Sequence, residues 1–569
     1  MKNICLSRSK YLVLFILTLF LILLGRIFYL QILSDKIKHY AESQYKSFRH
    51  LKPLRGHIFD RNGSPLAMSH YLYTLKAVPS QVKNKLKVAQ ILSPLLDIPQ
   101  STLEKKLSLP RKAVYIKRRL KNTVYKAVME KNIRGLYFDK EQTREYPRKS
   151  MAAHLIGFVD VDIRGLEGLE FLYENELRGT PGFQFFTKDG KSRELFTFYK
   201  KKHVAKDGYN IILNLDEKIQ YIVEKEMKNV FEKYKPKGIS VIVMEPSTGA
   251  ILAMANKPHF DLNNISKTTA AERRNRAITD TFEPGSTFKI VTFSAALNEK
   301  TFKSTDILFC ENGRYKVPGR SKPLHDHHSY GKLTVRQALQ KSSNIGTCKI
   351  AQKIGPKKLY KYIKAFGFGQ KTGIDLPGEV SGLLAHINKW SKASISSIPM
   401  GQEIGVNALQ MVSAMSAIAN KGDLMMPQVV QELRKKDGSL IKFYEPQKVR
   451  NIIRPEVALK VTSLLESVVS PQGTASKASI KGQRVAGKTG TAQKFDTSEK
   501  RYHKRKYVAS FIGFFPVEKP QYCIGVFVDE PPYIYRYGSV VAAPCFKRIG
   551  EAIKNYTLPK NTDQSNKVV

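Results

Sequence analysis

The chain has 569 residues, of which 42% are hydrophobic, so it is long enough for more than one domain and too apolar to be intrinsically disordered. Lysine and arginine outnumber aspartate and glutamate by 95 to 48, and the resulting net charge of +47 indicates an anionic neighbour. Because the basic residues are spread through every segment and no nucleic-acid-binding motif accompanies them, we do not expect this neighbour to be nucleic acid.

The N-terminal segment contains a candidate membrane span. Residues 11–33 are apolar or neutral apart from Arg26, and this stretch is long enough to cross a bilayer. A cleavable signal peptide is the alternative, but no small-residue cleavage site follows the run. Because three basic residues lie within residues 1–10, the positive-inside rule predicts a cytoplasmic N-terminus and an extracytoplasmic remainder. Membrane lipid is therefore an expected anionic neighbour.

The segment 34–205 is predicted to be a separate β-rich domain. A lysine-rich, helical stretch follows the span, and strand-like alternation with glycine and proline punctuation follows it. Near its start, Arg55, Asp60 and Arg61 lie beside glycines. These charged residues either brace a turn internally or contact a membrane-embedded partner.

A second domain is predicted from residue 206 to residue 556. An alternating strand over 209–216 is followed by a helix over 219–234. Strand patterns recur near both ends of this domain with helices between them, which favours an antiparallel sheet flanked by helices and an α+β fold. The remaining residues, 557–569, are polar and are predicted to form a mobile tail.

The string Ser286-Thr287-Phe288-Lys289 has the residues of an activated serine. A serine hydroxyl is a weak nucleophile until a base takes its proton, and a lysine serves as that base only when burial or a nearby cation keeps it neutral. Ser286 and Lys289 stand at i and i+3, on one face of a helix. The preceding Glu283-Pro284-Gly285 predicts a helix start, whose backbone amides would favour an oxyanion at Ser286.

Two further strings complete a candidate acyl-transfer site. In Ser342-Ser343-Asn344, the first serine would relay protons and the asparagine amide would bind a substrate backbone. In Lys488-Thr489-Gly490-Thr491, the lysine would add a second cation. That cation would lower the pKa of Lys289 and hold a substrate carboxylate.

Each of these patterns also occurs elsewhere by chance. Ser43-Gln44-Tyr45-Lys46 and Ser80-Gln81-Val82-Lys83 match S-x-x-K, and Lys371-Thr372-Gly373 matches K-T-G. The first two lie in polar segments without a Pro-Gly helix start, and the third follows a turn-rich loop. Lys488 instead lies in a small-residue stretch typical of an edge strand with which a substrate can pair. We therefore assign the site to Ser286 and Lys488.

The three strings in this order resemble those of the class B penicillin-binding proteins, D,D-transpeptidases of peptidoglycan in which S-x-x-K and K-T-G are established motifs. The family's E-P-G-S-T-F-K is present letter for letter. Four upstream segments are similar to motifs of the family's non-catalytic pedestal domain, and a fifth resembles the hairpin that opens its transpeptidase domain. These segments are 55–63, 144–147, 153–157, 165–170 and 244–254.

The resemblance implies a mechanism. Ser286 would attack the carbonyl of a D-alanyl-D-alanine stem, D-alanine would leave, and the amine of a neighbouring stem, or water in a carboxypeptidase reaction, would resolve the acyl-enzyme. β-Lactams would acylate the same serine. Lys289 would be the general base and Ser342 the proton relay, and the backbone N–H groups of Ser286 and Thr491 would form the oxyanion hole.

The resemblance also implies the remaining contacts and partners. Asn344 would hold the acyl chain, and the segment that binds the terminal carboxylate would comprise Lys488, Thr489, Gly490 and Thr491. No metal or organic cofactor is implied. The pedestal has no evident residues for glycosyl transfer, so we expect a membrane glycan polymerase and other division proteins as partners.

Within the family, the chain is most similar to the division-specific, septal branch. This interpretation depends on the segment 144–157, the string 486–492 and the lack of a repeat module after Phe546. An elongation-specific enzyme is the alternative. A membrane β-lactam sensor is expected to carry a cytoplasmic effector region, for which the ten residues before Tyr11 leave no room. A β-lactamase would not need the pedestal, and a catalytically silent scaffold is disfavoured because every catalytic string is intact.

Cysteines and histidines offer two further hypotheses. The five cysteines are too sparse for a disulfide scaffold or a Cys-x-x-Cys metal site. The four that would be exported, Cys310, Cys348, Cys523 and Cys545, could form a disulfide whose pairing the sequence does not determine. Leu324-His325-Asp326-His327-His328 could bind zinc, but adjacent residues of an extended segment point to opposite sides, and we expect a polar strand or loop leading to Ser342.

Overall fold

The computed structural model describes residues 2–33, 46–188, 194–195, 202–496, 498–499 and 501–557. The chain divides into two compact units, one comprising residues 1–55 and 178–208 and the other comprising residues 56–177 and 209–569. Three sequence predictions lie outside the described residues: the lysine-rich stretch that begins at Ser34, the S-x-x-K copy at Ser43, and the tail beyond Thr557.

The first unit contains the predicted anchor and a small antiparallel sheet. An α-helix spans Lys2–Phe28 and ends in a π-helical turn, and its apolar stretch Ser9–Ile32 is long enough to cross a bilayer. Arg26, the one charged residue of the predicted span, stacks on the ring of Tyr29, with its guanidinium carbon 5.5 Å from the ring centre. In the sheet, Gly182–Lys188 pairs with the three other strands, which are Lys46–Leu51, Glu194–Leu195 and Lys202–His203.

The second unit contains a seven-stranded sheet built from both predicted domains. The short strand Ile58–Phe59 pairs in parallel with Asn210–Leu213, which in turn pairs antiparallel with Val430–Arg434. Residues 56–177 therefore share a sheet with strands that lie beyond residue 206, while the predicted boundary near residue 206 stays a prediction. The other strands of this sheet are Pro65–Ala77, Val114–Leu120, Leu136–Glu145 and Leu440–Phe443.

A second hydrophobic cluster lies at the far end of this sheet. Three amphipathic helices bury leucine and valine side chains against the strands Pro65–Ala77 and Val114–Leu120. This separate core makes a small lobe within residues 65–145. The helices are Lys85–Leu96, Gln100–Leu107 and Asn122–Met129.

The region predicted as the second domain, residues 206–556, contains a five-stranded antiparallel sheet, so the predicted α+β fold with helices around an antiparallel sheet is confirmed. Helices Glu217–Tyr234 and Gly538–Thr557 pack on each other and on the sheet, and Ala408–Ala419, buried along its whole length, packs on the central strands. The strands, in spatial order, are Ile251–Lys257, Gly238–Met244, Tyr522–Asp529, Arg501–Phe515 and Ala486–Asp496.

The other helices and short strand pairs complete the second unit. The longer α-helices are Lys289–Asn298, Val335–Gln340, Asn344–Ile354, Pro356–Ala365 and Pro455–Val469, and the shorter ones are Ala153–Ile156, Gly168–Leu172, Glu174–Arg178, Ala270–Arg273, Arg276–Thr279 and Ser394–Ser397. The strand pairs are Ile307–Phe309 with Lys332–Thr334, Arg314–Tyr315 with Leu324–His325, Leu383–Leu384 with Ile404–Gly405, and Asp423–Met425 with Lys448–Asn451.

The cysteines Cys310, Cys348, Cys523 and Cys545 are buried free thiols. Burial raises the pKa of Cys523 and Cys545 to about 12, so both thiols stay protonated at neutral pH. They pack as small apolar side chains and form no disulfide in this structure.

Asp60 is an internal brace. It is 1% exposed, and its carboxylate accepts hydrogen bonds from the backbone N–H groups of Asn62 (2.9 Å), Ser64 (2.6 Å) and Glu217 (3.0 Å). Glu217 is the first residue of the helix Glu217–Tyr234, so this carboxylate stabilises the positive end of that helix. Of the two roles open from the sequence, the contacts favour bracing over a partner contact for Asp60.

We expect Asp60→Ala to lower the free energy of unfolding by about 3 kcal/mol, because three backbone N–H groups lose a buried, charged acceptor. Asp160→Ala is the matched control. Asp160 accepts from the N–H groups of Asp162 and Arg164 in the same local pattern but at an exposed turn. We expect Asp160→Ala to lower the free energy of unfolding by less than about 1 kcal/mol. Urea denaturation of both variants measures these changes. An equal loss of free energy of unfolding in the two variants would contradict the bracing role of Asp60.

Candidate active site

Ser286 and Lys289 lie where a tight turn becomes the central helix. The sequence predicted that the helix starts at Ser286, but Gly285–Phe288 is a 3₁₀ turn and the α-helix runs from Lys289 to Asn298. In a 3₁₀ turn, side chains at i and i+3 eclipse each other, so Ser286 and Lys289 still share one face. Ser286 is half-buried at the surface of a cleft, whereas Lys289 is fully buried.

Two glycines allow other backbone segments to approach this turn. Gly285 N–H donates to the Gly401 carbonyl over 3.1 Å, and a Cβ on Gly401 would lie 2.2 Å from the Gly285 oxygen. A Cβ on Gly490 would lie 3.0 Å from the Pro284 oxygen and 2.4 Å from Ser510 Oγ. Gly490 is therefore needed so that its strand can pass close to the turn that carries Ser286.

The Lys289 ammonium group is held by the Ser342-Ser343-Asn344 string. Its Nζ donates to the Ser342 carbonyl (2.7 Å), to Ser342 Oγ (3.2 Å) and to Asn344 Oδ1 (2.8 Å). Burial lowers the pKa of Lys289 to about 7, and the negative charge of Asp326 opposes this shift. A large fraction of Lys289 is therefore neutral near pH 7, as a general base requires.

Ser342 lies between two lysines. Its Oγ accepts from Lys289 Nζ at 3.2 Å and from Lys488 Nζ at 3.0 Å. Its φ of 59° is in the left-handed region, which a serine rarely occupies and which is common at functional sites. Because a hydroxyl has two acceptor lone pairs and one proton, these two contacts leave the Ser342 proton available for donation.

Lys488 lies on Ala486–Asp496, an outer strand of the five-stranded sheet, as the small-residue stretch predicted. The residue is fully buried, and burial together with the charge of Lys289 lowers the pKa of Lys488 well below its usual value. Neither lysine has an ion-pair partner among the described residues. An anionic group that enters the cleft therefore meets little competing negative charge and favours the protonated form of a neighbouring lysine.

The structure assigns a role to Asp326 that the sequence did not predict. Its carboxylate accepts from Ser343 Oγ (2.6 Å) and from the backbone N–H groups of Asn344 and Ile345. It therefore holds the N-terminus of the helix Asn344–Ile354, on which the asparagine of the string lies. The flanking histidines had suggested zinc, but the described residues contain no group of three or more side chains that could hold a metal.

We expect Asp326→Asn to lower the acylation rate about tenfold, because a carboxamide cannot accept at both positions and Asn344 shifts. The charge of Asp326 raises the pKa of Lys289, so its removal should move the acidic limb of the pH–rate profile to lower pH. Asp306→Asn is the matched control, since Asp306 braces a turn at the Lys303 N–H. A profile unchanged in Asp326→Asn would show that Asp326 has no effect on the site.

The cleft extends to both sides of Ser286. One side, about 590 Å³, is lined by Ser342, the expected proton relay, and by Thr489 and Thr491, which are expected to bind the terminal carboxylate. The other side, about 340 Å³, is lined by Asn344, Thr491 and the strand residues that follow. This arrangement can bind an extended peptide along the strand with its reacting carbonyl at Ser286.

The chance copies of the motifs lie elsewhere. Ser80 belongs to the 3₁₀ turn Pro79–Gln81 in the small lobe. Thr372 donates from both its N–H and its Oγ1 to Glu379, at 2.7 Å each, so its loop is braced internally. The residues assigned from the sequence, by contrast, converge on one cleft.

Two family models match the chain. The penicillin binding protein transpeptidase domain matches residues 239–551, and the penicillin-binding protein dimerisation domain matches residues 50–213. Together they leave the apolar N-terminal helix and the last residues of the chain unmatched.

Proteins of similar sequence include stage V sporulation protein D of Bacillus subtilis, which is 34% identical over 546 residues, 95% of this chain and 84% of that protein. The peptidoglycan D,D-transpeptidase FtsI of Escherichia coli is 31% identical over 535 residues, 93% of this chain and 88% of that protein. Penicillin-binding protein 3 of Mycobacterium tuberculosis, solved in complex with aztreonam, is 27% identical with a TM-score of 0.71, covering 90% of this chain and 98% of that one.

Proposed function

This chain belongs to the class B penicillin-binding proteins and is a peptidoglycan D,D-transpeptidase; we propose that it crosslinks stem peptides through an acyl-enzyme on Ser286, during septal wall synthesis. The observation that carries the proposed chemistry is the convergence of Lys289 and Lys488 on Ser342 Oγ, in the cleft that Ser286 also lines. Both lysines are fully buried, which favours the neutral form of one of them.

The proposed acylation uses these residues in sequence. Neutral Lys289 takes the proton of Ser286 Oγ, which attacks the carbonyl of the penultimate D-alanine. The backbone N–H groups of Ser286 and Thr491 stabilise the tetrahedral oxyanion. Ser342 donates its proton to the nitrogen of the departing D-alanine and takes back the proton held by Lys289, and the C–N bond breaks to leave the acyl-enzyme.

Resolution of the acyl-enzyme reverses this path with a different nucleophile. The amine of a neighbouring stem attacks the ester carbonyl and loses a proton through Ser342 to Lys289. Lys289 then returns a proton to Ser286 Oγ, which leaves as the hydroxyl. Substrate binding also favours the neutral, basic form of Lys289. A carboxylate bound at Lys488 and Thr489 favours the cationic form of Lys488, and that charge lowers the pKa of Lys289 further.

A reconstituted reaction tests this chemistry. The full-length protein in detergent is incubated with a stem pentapeptide and an acceptor stem that carries a free amine, and the products are identified by mass spectrometry. We expect release of D-alanine together with a crosslinked dimer. Release of D-alanine without a dimer would indicate a carboxypeptidase instead.

The septal role and the membrane arrangement rest on similarity to FtsI and on the apolar helix. We propose a single-pass anchor in the cell membrane with a cytoplasmic N-terminus, and a membrane glycan polymerase as partner. Depletion in cells tests the role. Filaments that elongate without dividing support septal synthesis, whereas rounded cells indicate the elongation role.

A further inference from the structure

The cleft on the Asn344 side of Ser286 carries two arginines without acidic partners. Arg320 and Arg536 both line this 340 Å³ cavity. Within the described part of the chain, neither guanidinium forms an ion pair, and Arg320 donates to the neutral Ser397 Oγ at 3.3 Å. Two positive charges therefore face the space beside the nucleophile.

Arg536 is held in place by tyrosines. Its guanidinium carbon lies 4.1 Å from the ring centre of Tyr533, 4.4 Å from that of Tyr537 and 5.9 Å from that of Tyr507. Its Nη1 donates to the Tyr533 carbonyl (2.9 Å) and its Nη2 to Tyr537 Oη (2.7 Å). Cation–π contacts and neutral acceptors fix the guanidinium without neutralising it, and three of its five N–H donors remain for a ligand.

The carboxyl group of Glu283, which lines the same cavity, forms hydrogen bonds with other partners than the arginines. Glu283 Oε1 accepts from the N–H of Glu403 (2.9 Å) and from Tyr502 Oη (3.1 Å). Burial raises the pKa of Glu283 to about 7, so this group is only partly ionised near neutral pH. The cavity wall therefore keeps a net positive charge when empty.

The edge strand determines which part of a substrate reaches these arginines. Ala492 and Gln493 line the arginine side, and Thr489 lines the opposite side, where the terminal carboxylate is expected. A peptide paired with the strand and acylated through its D-alanine extends its preceding residue along the arginine side. Building on the proposed function, we propose that Arg320 and Arg536 bind a second carboxylate of the donor stem, carried by the side chain of the residue before the acyl D-alanine.

Two donors that differ in one group test this proposal. Both are thioester stem peptides with a diamino dicarboxylic acid before the acyl D-alanine, and its side-chain carboxylate is free in one and a carboxamide in the other. The measured quantity is the ratio of kcat/KM for the two donors, per active site titrated with benzylpenicillin. We expect the full-length wild type to prefer the free carboxylate about tenfold, the scale of one charge-assisted pair.

Arginine variants distinguish the effect of the two cavity arginines from that of the protein's net charge. Arg536→Gln and Arg320→Gln should each reduce the preference, and the double variant should bring the ratio to about one. Arg505→Gln removes the same charge at an exposed position on the strand Arg501–Phe515 and should keep the preference. Equal rates with both donors in the wild type, or an unchanged ratio in the double variant, would overturn the proposal. A wild type that benzylpenicillin does not label would instead overturn the proposed function together with this inference.

Discussion

Replacing Ser286 by alanine should abolish covalent uptake of penicillin while the protein remains folded. The alanine lacks the only atom of this side chain that can attack the lactam carbonyl, and the loss of a serine nucleophile typically lowers the rate by about 10⁴ or more. Ser286 is half-buried at the cleft surface, so removing its hydroxyl leaves the buried helix behind it intact. Intact-mass spectrometry after incubation with benzylpenicillin detects the adduct directly.

The duplicate motif supplies the control for this experiment. Ser80 also has a lysine three residues later but lies in the turn Pro79–Gln81 of the small lobe, so Ser80→Ala should take up the drug like the wild type. An adduct of the drug's mass on Ser286→Ala would show that the nucleophile is a different residue.

The local geometry of the site was accessible from the sequence. The spacing of Ser286 and Lys289 places them on one face whether the turn is α or 3₁₀, and the small residues around Lys488 predicted an edge strand. The chemistry of the three strings placed Lys488 and Ser342 in one site, but their direct contact, between residues 146 apart in sequence, was not predicted because no local pattern encodes it. Long-range pairing also explains why the two-residue strand Ile58–Phe59 was not predicted.

Asp326 and Arg536 show where sequence interpretation reached its limit. Asp326 lies among histidines, so its local context suggested a metal ligand, and only the fold places it against the N-terminus of the helix Asn344–Ile354. Arg536 was one basic residue among many in a chain of net charge +47. Its tyrosine contacts are what distinguish it from the solvated lysines and arginines.

The acylation rate should rise with pH through the pKa of Lys289, about 7, and level off above about pH 8. Burial depresses this pKa, so the protonated form prevails below pH 7 and cannot accept the Ser286 proton, whereas the neutral base prevails above it. Lys289→Arg should lower the rate about 10³-fold at every pH in this range, because a guanidinium stays protonated. Stopped-flow measurement of benzylpenicillin acylation across this pH range gives both results.

Lys371→Arg is the matched control for this base assignment, since Lys371 belongs to the duplicate K-T-G string and lines a separate cavity. It should keep both the wild-type rate and the wild-type profile. The Lys289→Arg substitution preserves a positive charge near Ser342 and Asn344, so a loss of rate reports the missing base more than missing electrostatics. If Lys289→Arg reacted within about tenfold of the wild type, or the wild-type rate stayed flat through neutral pH, Lys289 would not be the base.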